Sequence, residues 1–405
     1  MVFRLKFQVE DLALFGGKTT FDDALHVGRP NLGNREHFLG RVNDILDRRW
    51  FTNNGIYVQE FEQRIADMIG VRNCVAICNA TVALEIAIRA LELKGEVIIP
   101  SFTFVATAHA LQWQEITPVF GDVSPGTHHL DPDQVEKIIT PRTSAIIPVH
   151  VWGMPCDIDR FQVLGDKYNL RILYDAAHAI GSSYKGTMIG NFGDAEVFSF
   201  HATKFINAFE GGAVVTNDDE LANKIRFTRN FGFAGLDDVR YLGTNGKMSE
   251  VSAAMGITSL ESMSNIIHVN RDNFHRYQQK LTNIDGIKLF TYPDEEKQNY
   301  QYIIVEIEER QAGISRDRLV SILQAENILA RRYFYPGCHE MEPYRSYFPH
   351  AGLLLPNTNQ LTRRVLSLPT GTAVAVEDID QICELISFCI NHSDEIVSMA
   401  ETPSL

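Results

Sequence analysis

Hydrophobic and polar positions follow two different periods along this chain, and each period predicts a different element. Between about Arg41 and Gly70 the apolar residues recur on one helical face and a glycine ends the pattern, which predicts a helix. Beyond it, apolar runs of four to eight residues alternate with helical or loop segments: NCVAIC, EVIIP, TPVFGDV, SAIIPVHV, LRILYD, EVFSF and GAVVT. This alternation is typical of βαβ units. It predicts an α/β fold with a mostly parallel sheet of seven strands.

The pattern changes again in the last part of the chain. From about Thr244 to Leu281 it becomes helical, and the segment NRDNFHRYQQKL predicts a long connecting helix. Further on, strand-like runs such as YQYIIVEI mix with helical segments such as SRDRLVSILQAEN, which indicates a smaller α+β domain. We therefore expect an N-terminal segment over residues 1–50, a large domain over residues 51–285 and a small C-terminal domain over residues 286–405.

The composition is that of a folded, enzyme-sized chain. Its 405 residues are 45% apolar and 22% charged, the ordinary balance of a globular protein. The net charge is −14, from 51 acidic and 37 basic residues, and no run of basic residues forms a positive stripe. Nucleic acid is therefore not an expected partner. An anionic ligand must be held locally, by backbone amides or a few well-placed side chains.

Membrane, export and metal signals are weak. The N-terminus, MVFRLKFQVEDLALFGG, lacks a long apolar stretch, so we expect neither a signal peptide nor a membrane span, and a cytoplasmic location. Six scattered cysteines, most of them in apolar runs, are interpreted as core thiols. The spacing of Cys74 and Cys78 suits neither a zinc site nor a redox pair, and no metal is expected.

Polar residues follow several of the predicted strands, where ligands of open α/β sheets bind. Ala80 and Thr81 follow NCVAIC and begin an apolar-periodic helix whose free amides suit an anion, although a plain helix cap is the alternative. Asp175 ends the run LRILYD, and the small residues after it would let a flat group approach. A buried carboxylate needs a cationic partner, such as a protonated pyridine nitrogen. An ordinary salt-bridging aspartate remains the commoner case.

Lys204 lies between two apolar runs, at the end of the segment SFHATK. Lysine is rare in such a place unless it is paired, covalently engaged or reaching solvent. Desolvation lowers the pKa of a lysine amine and frees it to attack a carbonyl, as a Schiff-base lysine must. A surface lysine in a loop is the alternative that this residue alone leaves open.

A series of ordered segments resembles the DegT/DnrJ/EryC1/StrS family of sugar aminotransferases. The segments are TNNGIYVQEFE, CNATVALEIA, PSFTFVATAHA, PVFGDV, PVHVWGMPCDID, YDAAHAIGSSYKG, FSFHATKFINAFEGGAVVT, GTNGKMSEVSAAMG and RRYFYPGCH. The resemblance extends from about Trp50 to Ser367. It implies the aspartate aminotransferase-like fold of type I, which is dependent on pyridoxal phosphate (PLP), with the large and small domains described above.

The resemblance also implies three catalytic residues. Lys204 would bind the cofactor PLP covalently and shuttle a proton between substrate and cofactor. Asp175 would pair with the pyridine nitrogen and keep the ring an electron sink. His178, where many relatives have Gln, would contact the phenolic oxygen of the ring.

Further cofactor contacts follow from the same resemblance. Phe104 would stack on the ring, while Ala80, Thr81 and Ser199 would hold the phosphate with neutral donors. Asn245 occupies the place of an asparagine that reaches the phosphate from the neighbouring subunit. A homodimer with shared active sites is therefore expected.

Substrate contacts are implied less directly. Relatives often carry Arg two residues after that asparagine, where it is available to the carboxylate of the amino donor, and this chain has Lys247, which supplies charge without a bidentate fork. Tyr335 and His339 match a segment near the sugar site, although a role in the folded core is equally open for both.

The resemblance also bears on the reaction. Lysine at 204 disfavours the dehydratase branch, which has His there. The forms FHATK and FEGG resemble enzymes that act at C4 of dTDP-4-keto-6-deoxy-hexoses, whereas enzymes acting at C3 tend to have FYPTK and GDGG. We therefore expect transfer of an amino group from L-glutamate to the C4 ketone of dTDP-4-keto-6-deoxy-D-glucose. The alternatives are a 3-keto sugar, a cyclitol ketone or a catalytically silent regulator. An oxidoreductase is disfavoured because no G-x-G-x-x-G follows a strand.

Overall fold

The computed structural model describes residues 6–401, which form a large central sheet, a smaller antiparallel sheet and two short strand pairs. In chain order the strands are β1 (Leu25–His26), β2 (Asn73–Ile77), β3 (Glu96–Pro100), β4 (Thr117–Gly121), β5 (Thr143–Ile146), β6 (Arg171–Asp175), β7 (Ser183–Tyr184), β8 (Thr187–Met188), β9 (Ala195–Ser199), β10 (Gly212–Thr216), β11 (Ile287–Leu289), β12 (Ile303–Ile307), β13 (Ile328–Leu329) and β14 (Val365–Leu368).

Helices connect these strands. The α-helices are α1 (Arg35–Arg48), α2 (Ile56–Ile69), α3 (Ala80–Ala90), α4 (Ala106–Gln112), α5 (Pro132–Ile138), α6 (Ile158–Tyr168), α7 (Asp219–Thr228), α8 (Glu250–Glu261), α9 (Met263–Leu281), α10 (Glu309–Ala312), α11 (Arg316–Ala325), α12 (Tyr344–Tyr347), α13 (Pro356–Arg364), α14 (Val376–Asn391) and α15 (Ser393–Glu401). Short 3-10 turns lie at Val9–Asp11, Ala13–Phe15, Val151–Gly153, Cys338–Glu340 and Ala351–Leu354. Over residues 6–401, no helix is long and apolar enough to cross a membrane.

The central sheet has seven strands in the order β2-β10-β9-β6-β5-β3-β4. Strand β10 is antiparallel to β2 and β9, and the other neighbouring pairs are parallel. All seven strands predicted from the short apolar runs are confirmed. Hydrophobic clusters cover both faces of the sheet, so its strands are buried on both sides, as a parallel sheet requires.

The helical pattern predicted over 41–70 and its stop at Gly70 are confirmed, but a turn divides the stretch into two helices, α1 and α2. Arg49 ends α1 in the left-handed conformation, with φ of 55°. The start of α2 is capped from elsewhere in the chain, since the buried carboxylate of Glu250 accepts hydrogen bonds from the amides of Tyr57 (2.9 Å) and Val58 (3.2 Å). A cap supplied from residue 250 cannot be read from the local pattern.

The predicted long helix is confirmed as α9, which ends at Leu281. Beyond it, β11, β12 and β14 form an antiparallel sheet that packs with α11 and α14 in a hydrophobic cluster, which also includes Phe102 and Trp152. The predicted domain boundaries at residues 50 and 285 are consistent with this change of architecture but stay a prediction.

The N-terminal segment is fastened to the C-terminal part of the chain. Strand β1 pairs in parallel with β13. The buried carboxylate of Glu326 accepts hydrogen bonds from the amides of Ala13 (2.7 Å) and Thr20 (2.6 Å) and pairs with Lys6 at 2.9 Å. Further along, Asn31 contacts the loop that carries Lys204, because its amide nitrogen donates to the carbonyl oxygen of Phe205 at 3.3 Å. The segment therefore connects β13, in the C-terminal part of the chain, with the loop that carries Lys204.

Candidate active site

The fold brings the residues singled out from the sequence to one edge of the central sheet. Strands β2, β3, β6 and β9 run in the same direction, so their carboxyl ends meet at that edge. Asp175 is the last residue of β6, and Ser199 is the last residue of β9. Lys204 follows in the turn after β9, and its backbone amide donates to the carbonyl oxygen of His201 at 2.8 Å. This edge is where ligands of α/β sheets bind.

Lys204 has the properties of a reactive amine. Its Nζ donates a hydrogen bond of 3.3 Å to the hydroxyl of the buried Tyr302. Burial lowers the pKa of Lys204 to about 8, and the negative charge of Asp175 only partly opposes this change. A sizeable fraction of the amine is therefore neutral near physiological pH, which is what attack on a carbonyl requires.

Asp175 is a buried carboxylate held by two hydrogen bonds. Its Oδ2 accepts from the hydroxyl of Thr107 at 2.8 Å, and its Oδ1 accepts from the amide of Ala177 at 3.1 Å. Burial raises the pKa of Asp175, while these two hydrogen bonds and the charge of Lys204 lower it. A cation in front of this carboxylate would lower its pKa further and keep it ionised.

His178 lies in an aromatic box. Its ring is nearly parallel to those of Trp152 and Phe334, at centroid distances of 6.3 and 6.1 Å, and Tyr302 lies 4.7 Å away. Burial holds the pKa of His178 well below its usual value, so the ring is neutral. Its Nδ1 is buried without a hydrogen-bond partner among residues 6–401. A buried polar atom of this kind points to a ligand group.

The start of α3 offers backbone amides to an anion. Asn79 caps the helix by accepting from the amide of Val82 at 2.9 Å. The amides of Ala80 and Thr81 lie at the first two helical positions, which have no intrahelical acceptor. Gly212 lets the neighbouring strand approach, because a Cβ there would lie 2.6 to 2.7 Å from the backbone of Asn79 and Ala80.

Phe104 and the 245–247 loop lie at the rim of the site. The side chain of Phe104, in the turn after β3, is 60% exposed. The loop lies next to the start of α3, because the amide of Cys78 donates to the carbonyl oxygen of Gly246 at 2.8 Å. Lys247 donates to the side-chain oxygen of the exposed Asn245 at 2.7 Å and lies 4.5 Å from the ring centroid of Phe231.

Tyr335 and His339 differ in how far they are free to bind a substrate. Tyr335 is 42% exposed, and its ring lies between the guanidinium groups of Arg316 and Arg332. His339 is buried, and both its ring nitrogens are engaged: Nδ1 with the hydroxyl of Ser101 at 2.6 Å and Nε2 with the side chain of Asn359 at 2.9 Å. These bonds favour the core role for His339, and its substrate role stays a prediction.

Sequence reasoning missed several residues of the site. Thr107 holds Asp175, and Trp152, Tyr302 and Phe334 form the walls around His178. The tryptophan of VHVWG and the tyrosine of YQYIIV were visible as aromatic residues beside predicted strands. Their convergence depends on contacts between distant parts of the chain, which periodicity does not encode.

The residues present fit PLP. The site offers a partly neutral lysine, a buried carboxylate for the pyridine nitrogen, an unpartnered histidine nitrogen and helix amides for a phosphate. When bound, PLP supplies an electron sink and carries the amino group between two substrates.

The chain belongs to the DegT/DnrJ/EryC1/StrS aminotransferase family, whose sequence profile matches residues 33–387. It is 38% identical to the dTDP-4-amino-4,6-dideoxy-D-glucose transaminase of Shigella dysenteriae over 364 residues, which cover 89% of this chain and 98% of the relative. It is also 35% identical over 371 residues to a transaminase of the same name from Escherichia coli, with 90% and 98% covered. The chain is therefore a sugar aminotransferase by family.

Solved structures agree with this assignment. A structure of DesI in the presence of its TDP-sugar product superposes with a TM-score of 0.94 at 48% identity and covers 98% of this chain and 100% of that chain. The PMP form of a sugar aminotransferase from Streptococcus pneumoniae, Spr1654, described as putative, superposes with a TM-score of 0.84 at 25% identity, with 94% and 100% covered. The aminotransferase fold predicted from the sequence is confirmed.

Proposed function

We propose that this chain transfers an amino group from L-glutamate to C4 of dTDP-4-keto-6-deoxy-D-glucose, with PLP as its cofactor and dTDP-4-amino-4,6-dideoxy-D-glucose as the product. The names of the relatives from Shigella dysenteriae and Escherichia coli support this sugar. So does the likeness to DesI, whose structure holds a TDP-sugar product. The observation that carries the proposal is the placement of the Lys204 amine beside the buried Asp175 and the unpartnered nitrogen of His178.

In this proposal each residue at the sheet edge would hold a different part of the cofactor. Lys204 would hold the cofactor through its Nζ, and Asp175 would keep a proton on the pyridine nitrogen, because that positive charge would stabilise its carboxylate. The unpartnered ring nitrogen of His178 would contact the phenolic oxygen. The amides of Ala80 and Thr81 and the hydroxyls of Thr81 and Ser199 would bind the phosphate without adding a cation.

Lys204 would also transfer protons during the reaction. With a pKa of about 8, its free amine would take the proton from the donor carbon that bears the amino group and deliver it to the cofactor within the same half-reaction. In the second half-reaction it would move a proton the opposite way, to C4 of the sugar. The aromatic box of Trp152, Tyr302 and Phe334 excludes water from this face and keeps the His178 ring in its plane.

A neighbouring subunit completes the site in this proposal. Asn245 and Lys247 lie on a loop whose side chains are turned outward, and Asn245 is exposed. The proposal places Asn245 at the phosphate of the neighbouring subunit, and Lys247 beside the carboxylate of the amino donor. Phe104 would stack on the cofactor ring, and its exposure of 60% leaves its side chain free to do so.

The test is an absorbance spectrum of the purified protein with PLP, before and after glutamate is added. We expect a visible band that glutamate bleaches, with 2-oxoglutarate formed in equal amount. The Lys204→Ala variant should lack the band. Lys185→Ala is the matched control, because Lys185 is exposed and pairs with Asp159 away from the site. A missing band, or one that glutamate leaves unchanged, would show that the proposed half-reaction is wrong.

A panel of ketones then tests the sugar. After glutamate has bleached the visible band, adding dTDP-4-keto-6-deoxy-D-glucose should restore it. A faster return with a 3-keto sugar nucleotide or an inosose would retain the chemistry and overturn the proposed substrate.

A further inference from the structure

Arg331 lies beside the candidate site, and two hydrogen bonds to Ser367 hold its backbone. Its amide donates to the carbonyl oxygen of Ser367 at 3.1 Å, and the amide of Ser367 donates back at 2.8 Å. The guanidinium carbon of Arg331 lies 4.8 Å from the ring centroid of Tyr333. The position of this cation is therefore set by a backbone bridge and by an aromatic surface.

A short series of contacts leads from Arg331 to Lys204. The ring of Tyr333 meets that of Tyr302 edge-on, at a centroid distance of 6.2 Å. The hydroxyl of Tyr302 in turn accepts the hydrogen bond from Lys204. Arg331 is close enough to Tyr302 for its positive charge to oppose the rise in pKa that burial causes there. A substrate bound beside the Lys204 amine would therefore lie near the guanidinium of Arg331.

Arg331 differs from the arginines around it in having no carboxylate partner. Arg316 and Arg332 both contact Asp317, at 2.8 and 3.1 Å. For Arg331 no Asp or Glu within the described part of the chain lies at ion-pairing distance, and the residue is exposed. In a protein with a net charge of −14, such an unpaired cation at the site is available to a ligand.

We infer that Arg331 binds an oxyanion group of a substrate, either a carboxylate of the amino donor or the diphosphate of the nucleotide sugar. The guanidinium presents paired N–H donors that match both groups. This inference rests on the proposed function, and it adds a specificity-determining residue from the segment RRYFYPGCH, in which the sequence analysis singled out only Tyr335 and His339.

The two half-reactions separate the two sources of the oxyanion. In stopped-flow measurements on the PLP-loaded protein, glutamate bleaches the visible band, and dTDP-4-keto-6-deoxy-D-glucose restores it. Each signal gives a rate and an apparent dissociation constant for one substrate. These constants are measured for the parent protein and for Arg331→Gln, Arg331→Lys and Arg364→Gln. Arg364 is the matched control, since it is a partly exposed arginine in the same part of the chain that pairs with Glu308 at 3.1 Å.

For Arg331→Gln we expect the dissociation constant of one substrate to rise about 10- to 100-fold, as for loss of a charge-assisted hydrogen bond. The rate at saturation should change less than the constant. Arg331→Lys keeps the charge without the fork, so its rise should be smaller. A rise for glutamate assigns the carboxylate, a rise for the sugar assigns the diphosphate, and a rise for both assigns one shared oxyanion site.

The inference is overturned if Arg331→Gln leaves both constants within about twofold of the parent, like Arg364→Gln. If Arg331→Gln fails to fold, Arg331→Lys decides, and unchanged constants in that variant also overturn it. A parent protein that does not react with glutamate at all refutes the proposed function instead, so the two failures are distinct.

Discussion

The hydroxyl of Thr107, in the first turn of α4, donates a hydrogen bond of 2.8 Å to Oδ2 of Asp175 at the end of β6. Thr103 lies behind it, with its own hydroxyl oxygen 3.2 Å from that of Thr107. This short chain opposes the effect of burial on Asp175, because burial raises the pKa of the carboxyl and the Thr107 hydrogen bond lowers it. Thr107 is therefore a positioning residue for the carboxylate.

Replacing Thr107 by Val should make Asp175 harder to ionise. The substitution keeps the shape but removes the hydroxyl, so the pKa of Asp175 rises further. We expect the glutamate half-reaction to slow about tenfold or more, the effect of one hydrogen bond to a charged group. The acid limb of its pH profile should move to higher pH. Thr107→Ser keeps the donor and should restore both, whereas an equal loss in Val and Ser variants would contradict the role of the hydroxyl.

The rate of PLP uptake should follow the titration of Lys204. Only the neutral amine attacks the aldehyde, so uptake by the apoprotein should rise with pH through about 8 and then level off. Asp175 raises the pKa of Lys204, and its replacement by Asn should therefore move the midpoint to lower pH. The appearance of the visible band, followed at a series of pH values, measures both midpoints. An upward shift in Asp175→Asn would show that the two charges are not coupled in this way.

A methyl group at Gly212 should displace the start of α3, where the proposed function places the phosphate. The added Cβ would lie 2.6 Å from the carbonyl carbon of Asn79 and 2.7 Å from the amide nitrogen of Ala80, so the start of α3 must move. We expect Gly212→Ala to raise the dissociation constant of PLP by about tenfold or more, because backbone amides bind phosphate only when correctly placed. Gly126→Ala is the control, since nothing lies within 4 Å of a Cβ there. Equal PLP affinity in the two variants would be inconsistent with phosphate binding by the backbone amides at the start of α3.

His129 should make the protein less stable in mild acid. Burial lowers its pKa to about 3, and its Nε2 lies 2.9 Å from the carbonyl oxygen of Met154. In the unfolded chain a histidine titrates near pH 6.5, so the unfolded state takes up the proton first. The stabilisation is therefore complete above pH 6.5 and falls by about 1.4 kcal/mol for each pH unit below it.

Urea unfolding between pH 7 and 5 measures this slope. His129→Gln should be less stable at pH 7 but should lose less stability on acidification than the parent. His37→Gln, at an exposed position, should retain the full slope. A slope unchanged in His129→Gln would mean that other buried groups account for the acid sensitivity.

Much of the fold could be predicted because its signals are local. Each strand of the central sheet is a short apolar run buried on both faces, and α9 has a clear helical period. The break between α1 and α2 could not be predicted, since the cap that begins α2 comes from Glu250. The pairing of β1 with β13 was equally invisible, because two residues are too few to make a pattern.

The candidate site was predictable at its strand ends and not at its walls. Asp175, Ser199 and Lys204 follow buried runs, so their position in the sequence places them at the sheet edge. Tyr302 and Phe334 reach the same place from the small sheet and from a loop beyond it. The sequence left a core role and a substrate role equally open for His339, because its partners Ser101 and Asn359 are distant in the chain.

The attachment of the N-terminal segment has a consequence for synthesis on the ribosome. Leu25 pairs with Ile328, so this segment must wait for roughly 300 further residues before its partner strand exists. Glu326, which binds its amides, emerges equally late. A segment made some 300 residues before its partners is therefore among the last to be ordered, and its apolar residues Val9 and Leu12, fully buried in the finished fold, stay uncovered in the meantime.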